Sequence, residues 1–92
     1  MHYTYVLLCQ NTETERKLFY IGSTENIKIR LTKHKTKSIK TTKNFDKINL
    51  VYYEACLSKT DARIRELQLK TGFGRGYIKR RIEKYLKTAE LV

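Results

Sequence analysis

The chain has 92 residues, 20 of them Lys or Arg against 9 Asp or Glu, for a formal net charge of +11. That length suits one domain over residues 1–92, burying roughly 60–70% of the surface its unfolded form exposes. A composition of 40% apolar and 32% charged residues speaks against disorder. No run approaches the roughly 18 apolar residues of a spanning helix, and Met1-His2-Tyr3-Thr4-Tyr5 lacks the basic start of a secretory signal, so a cytoplasmic location is expected.

In chain order, residues 3–9 (YTYVLLC) are aromatic, branched or apolar and predict a buried strand. Residues 10–17 are polar and turn-like, and residues 18–22 (LFYIG) predict a second strand, so the two together predict an antiparallel hairpin. Gly22 frees the backbone for a sharp exit or for close approach of another group. A helix is expected over about 25–37, with Ser23 or Thr24 as cap and Ile27, Leu31 and His34 along one face. Residues 38–47 read as a polar, basic loop, and residues 48–56 (INLVYYEAC) carry the strongest strand signal. Ser58-Lys59-Thr60-Asp61 has the form of a capping box at the head of a helix reaching about Lys70. Gly72, Gly74 and Gly76 read as a turn, with a last helix from about 75 to 88 that aligns Ile78, Ile82, Tyr85 and Leu86. Cys9 and Cys56 lie in apolar strand sequence and read as buried, reduced thiols; without histidines nearby they make no zinc site. The order is β-β-α-β-α-α.

Self-repulsion at this charge makes a polyanion the natural partner, nucleic acid ahead of an anionic membrane surface. The charge is also clustered: residues 28–47 hold eight basic side chains and residues 70–87 hold seven, together fifteen of the twenty. Two such segments suit contact with phosphates better than general solubilisation does. Gly22, Ser23, Lys28, Lys33, Lys35, Lys37, Lys40, Lys43, Lys70, Arg75, Lys79 and Arg80 are the candidate DNA-binding residues.

Tyr5 and Tyr20 fall on adjacent predicted strands, and Arg30 and His34 lie one helical turn apart. Glu66 sits in mid-helix, able to pair with Arg63 or Lys70. Taken singly, each residue has a structural reading as core tyrosine, surface cation or helix ion pair.

Their order carries more. Tyr3-Thr4-Tyr5, then Tyr20-Ile21-Gly22-Ser23-Thr24, then Arg30-Leu31-Thr32-Lys33-His34, then Leu50-Val51-Tyr52-Tyr53-Glu54, then the helix around Glu66 and Leu69-Lys70-Thr71-Gly72-Phe73-Gly74 resemble the GIY-YIG nuclease superfamily. The likeness runs over about residues 3–86 and is nearest to the small stand-alone type, similar to the catalytic domain of the excision-repair incision subunit. It implies an α+β fold with a three-stranded antiparallel sheet flanked by three helices. It implies a metal-dependent endonuclease, serving DNA repair or recombination, that hydrolyses DNA phosphodiesters with Mg2+ or Mn2+. It also implies a catalytic set of Tyr5, Tyr20, Arg30, His34 and Glu66, with Glu66 as the metal ligand. One carboxylate with retained waters suits Mg2+, and the planar fork of Arg30 suits the scissile phosphate. Tyr5 is favoured as the base, its phenolate supported by Arg30 and the metal, with Tyr20 positioning water or phosphate; the two roles are exchangeable. His34 would orient a tyrosine or relay a proton. The expected substrate is duplex or branched DNA, with a protein partner or a homodimer supplying specificity. The alternative is a catalytically inactive nucleic-acid-binding module on the same fold. The chain departs from the family pattern where Tyr3 and Thr4 replace glycine and isoleucine, where Ser23 follows the second motif, and where no asparagine matches after Glu66.

Overall fold

The computed structural model describes residues 1–36, 39 and 42–90. Its elements are β1 (His2–Asn11), β2 (Arg16–Thr24), α1 (Ile27–Lys35), β3 (Lys47–Cys56), α2 (Lys59–Leu69), α3 (Gly72–Arg81) and α4 (Glu83–Glu90). The strands form one antiparallel sheet of order β2-β1-β3. The all-apolar run of β1 occupies the middle, where both faces are covered, and Thr4 through Cys9 are buried without interruption. The β1–β2 hairpin closes through Asn11, whose Oδ1 accepts the backbone N–H groups of Glu13 and Thr14 at 3.0 Å.

Alternation along the strands sorts side chains to two faces. Tyr5, Leu7 and Cys9 pack with Phe45 and Ile48, joined by Leu18, Tyr20, Leu50 and Leu31 of α1. Val6 and Ile21 pack with Leu69 of α2 and Ile78 of α3, joined by Phe19, Val51, Tyr52 and Ile82. Val51 and Tyr52 are consecutive yet share a face, which a regular strand forbids. The register supplies the reason: Val6 faces Tyr52 while Leu7 faces Leu50, so β3 bulges at Val51. The bulge leaves Tyr53 directly opposite Tyr5. Thr4 anchors α2 to the central strand, its hydroxyl donating to the Ala62 carbonyl at 2.8 Å.

Four expectations are corrected. β2 keeps pairing as far as Thr24, so neither Ser23 nor Thr24 caps α1; Asn26 does, its Oδ1 accepting Ile29 N–H at 3.0 Å. Gly72, Gly74 and Gly76 are no turn but the first half of α3, which Thr71 caps by accepting Gly74 N–H at 3.1 Å. A Cβ on Gly74 would collide with the backbone of Gln68 and Leu69, so glycine is what lets α3 start hard against the end of α2. The expected last helix is two, because the chain leaves helical dihedrals at Ile82 (φ −115°, ψ 26°), where that side chain packs toward the sheet. Four helices are therefore described rather than three. Cys9 is buried as expected, but Cys56, at the end of an edge strand, is only half-buried; neither forms a disulfide. The Ser58 cap holds, its hydroxyl accepting Asp61 N–H at 3.3 Å.

Candidate active site

The centre of the site is Tyr5. β1 presents it toward α1, where Arg30 Nε donates to its hydroxyl at 3.2 Å and His34 Nε2 lies 3.0 Å from the same oxygen. Arg30 can only donate. The Tyr5 O–H is then directed at Nε2, and the His34 Nδ1–H at Thr42 Oγ1, 2.8 Å away. Thr42 passes its own proton to the Ile39 carbonyl at 3.5 Å. Every polar atom of this buried chain is satisfied with His34 neutral. Tyr20 completes the cluster, its ring meeting His34 edge-on at 4.7 Å between centroids.

Gly22 lies directly opposite Tyr5 in the ladder. A Cβ built there would stand 2.5 Å from the Tyr5 hydroxyl oxygen. The glycine therefore makes room for the phenol head, a use of close approach rather than of a sharp exit. It is itself buried, so its side of the strand offers no surface to DNA.

Ser23, the next residue, points to the other face. Its hydroxyl donates to Glu66 Oε1 at 2.7 Å, while Arg63 and Lys70 each donate to Oε2 at 2.7 Å. Burial pushes the Glu66 carboxyl up, but the bonds from Lys70, Ser23 and Arg63 outweigh it and hold the group below its usual range. Glu66 is thus an ionised carboxylate, 4% exposed. Its charge still reaches Tyr5 around Gly22. One carboxylate and one hydroxyl are oxygen donors of the kind a hard cation takes, but a cation would have to displace Arg63 or Lys70 from Glu66. No group of three or more His, Cys, Asp or Glu that could hold a metal occurs among the described residues.

Burial also decides the state of the tyrosine. It pushes the Tyr5 phenol up to about 12, and the opposing bond and charge of Arg30 do not cancel it. Arg30 does lower the phenol as expected, but without a metal its effect is smaller than that of burial around the enclosed ring.

His34 is pushed down to about 4, first by burial and then by the charge of Arg30. An unfolded histidine titrates near 6.5. Between these values the unfolded chain binds a proton that the folded chain refuses. Stability from this group is therefore complete above about pH 6.5 and is lost as the pH falls toward about 4, by up to about 3 kcal/mol. Urea denaturation at pH 7 and pH 4.5 is expected to show the loss, and His34→Gln, which cannot titrate, is expected to show a smaller one. Equal pH dependence in the two proteins would contradict a neutral buried His34.

The remaining candidates are not all together. Lys28, Lys33 and Lys35 are exposed on α1 and Lys43 is exposed in the loop before β3, whereas Lys37 and Lys40 lie outside the described residues. Lys70 is engaged by Glu66. Arg75, Lys79 and Arg80 line a groove of about 670 Å3 with Lys17, Phe19 and Lys87, on the face covered by α2 and α3. The two basic segments therefore flank the sheet from opposite faces rather than forming one flat track. Thr42, which fixes the His34 tautomer, was hidden in the sequence within a loop of polar residues; nothing marked it apart from its neighbours.

The GIY-YIG catalytic domain profile matches residues 1–81, which implies a domain of a nuclease family. The chain belongs to the GIY-YIG family. It is similar to the UPF0213 protein SH2523 of Staphylococcus haemolyticus (strain JCSC1435), with 35% identity over 71 residues, covering 76% of this chain and 80% of the relative. No solved structure matches the chain. No helix among the described residues is long and apolar enough to cross a membrane.

Proposed function

We propose that the protein is a divalent-metal-dependent DNA endonuclease of the cytoplasm, acting in repair or recombination on duplex or branched DNA. The observation that carries this reading is the hydrogen-bonded Arg30–Tyr5–His34 chain together with the buried carboxylate of Glu66, whose charge reaches Tyr5. Neither nucleic-acid affinity nor core packing requires that combination.

Glu66, with Ser23, would hold Mg2+ or Mn2+. The bound ion would supply positive charge to the scissile phosphate and its leaving oxygen. Arg30, held by Tyr5 through Nε and also interacting with Tyr20, would turn its planar fork to a phosphate oxygen. Tyr5 is 2% exposed and holds its proton, whereas Tyr20 is half-buried. We therefore assign contact with the attacking water to Tyr20 and the positioning of Arg30 to Tyr5, exchanging the roles favoured from sequence. His34 Nε2 accepts the Tyr5 O–H hydrogen bond and so orients that tyrosine against Arg30. The candidate phosphate contacts are the exposed Lys28, Lys33, Lys35, Lys43, Arg75, Lys79 and Arg80.

A second reading has one observation in its favour: both Glu66 oxygens are already engaged, by Ser23, Arg63 and Lys70. A domain arrested in that state would bind DNA without cutting it. A nicking assay on supercoiled plasmid and branched DNA separates the two. Cutting is expected with Mg2+ or Mn2+ and is expected to stop on adding a chelator. DNA binding with no cutting under any divalent metal would establish the silent binding module instead.

A further inference from the structure

Beyond the Arg30–Tyr5 pair, an exposed tyrosine on β3 and a half-buried one on β1 come together. Tyr53 is 54% exposed although it lies in a strand directly opposite the buried Tyr5. Tyr3, two residues before Tyr5 on the same face of β1, meets it edge-on with centroids 5.8 Å apart. The pair borders a cleft of about 530 Å3 that also takes in Glu25, Asn26, Lys28 and Leu31. That volume lies within the range of small-ligand clefts, roughly 300–1,000 Å3.

The cleft has the chemistry of a nucleotide rather than of a peptide or a lipid. Tyr53 offers an aromatic face, and the edge of Tyr3 braces it, so a flat ring can stack there. Leu31 and Leu50 make an apolar floor. Lys28 at the rim supplies a cation for the phosphate attached to that ring. Glu25, also at the rim, is an acceptor for an exocyclic amine and excludes a second phosphate. Tyr53 and Tyr5 are cross-strand partners on adjacent strands, about 4.8 Å apart at the backbone, so the cleft and the Arg30–Tyr5 pair lie on neighbouring strands of one face.

We infer that the Tyr3–Tyr53 cleft is a nucleobase-stacking subsite, which takes an unpaired base next to the phosphate held at Arg30. A base inside a duplex cannot stack on a protein ring without leaving its neighbours, and that costs a few kcal/mol. The subsite thereby selects DNA whose bases are already unpaired near the cut, such as a flap, a bulge or a junction. This inference rests on the nuclease reading for its consequence but not for its binding step.

The test uses a single-stranded oligonucleotide carrying 2-aminopurine, whose fluorescence is quenched by stacking. Quenching is expected with wild type and with Tyr53→Phe, which keeps the ring. Tyr53→Ala is expected to lose the quenching and to bind about tenfold more weakly, since stacking on one aromatic side chain is of that order. Tyr53 is 54% exposed and its ring contact is with Tyr3, so Tyr53→Ala is expected to stay folded with a melting temperature lowered by only a few degrees. In cleavage, the preference of wild type for a substrate with an unpaired base beside the cut should fall about tenfold in Tyr53→Ala. Quenching that depends on Tyr53, in a protein that cuts nothing, would keep the subsite and remove the nuclease reading. Unchanged binding and quenching in Tyr53→Ala would remove the subsite alone.

Discussion

Glu66→Gln is expected to abolish cleavage while leaving DNA binding as strong as wild type or stronger. The substitution keeps the shape of the side chain and its Ser23 contact but removes the negative charge. A neutral amide is a poor ligand for a hard cation, so the rate should fall by at least about 100-fold in either Mg2+ or Mn2+. Binding moves the other way because a buried carboxylate opposes an incoming phosphate, and because Arg63 and Lys70 lose their shared acceptor and become available to DNA. The stability change should stay within about 1–2 kcal/mol, since both cations have substantially exposed side chains and can turn to water. The measurements are nicking rates, fluorescence anisotropy with a labelled duplex, and a urea melt. Full-rate cleavage by Glu66→Gln would falsify the assignment of the metal to this carboxylate. Lost binding with intact folding would make Glu66 a structural support for the DNA surface instead.

Arg30→Ala is expected to cost about 100- to 1,000-fold in cleavage, the scale of removing one oriented donor from a developing charge. It removes one of twenty basic residues, so the slope of log affinity against log salt should fall by no more than about 0.9. Two further signs separate a catalytic arginine from a merely structural one. Arg30 is the second cause, after burial, that holds His34 down; in the variant the His34 ring should titrate at a higher pH by NMR. Arg30 also lowers the Tyr5 phenol through its hydrogen bond; without it Tyr5 moves further from the phenolate. Arg30→Lys is expected to recover little activity, because lysine has no Nε–H for Tyr5 and no second donor in a fixed plane. A variant that cuts normally, or one whose His34 titration is unmoved, would take Arg30 out of this role.

Much of the site was legible in the sequence because its parts are local. The unbroken apolar run of β1 marks a strand covered on both faces, and it is the central strand of the sheet. Arg30 and His34 share a face because a helix repeats every 3.6 residues, and both do reach Tyr5. The spacing of Glu66 to Arg63 and to Lys70 offered either as an ion-pair partner, and the fold makes both pairs. The clustering of charge pointed to a polyanion before any geometry was known.

Other properties belong to the tertiary structure alone. The state of Tyr5 depends on how completely it is enclosed, and desolvation is a sum over neighbours distant in sequence. The helical start of α3 depends on how closely Gly74 approaches α2, which outweighs the turn preference of three glycines. The separation of the two basic segments comes from the helices packing on opposite faces of one sheet, a choice that composition does not encode. The adjacency of Tyr53 to Tyr5 and Tyr3 rests on a register and a bulge that exist only once β1 and β3 are paired. The sequence determined which groups the protein has for chemistry on DNA. Burial and register decided which of them are charged, which are exposed and which face one another, because both arise only when segments far apart in the chain meet.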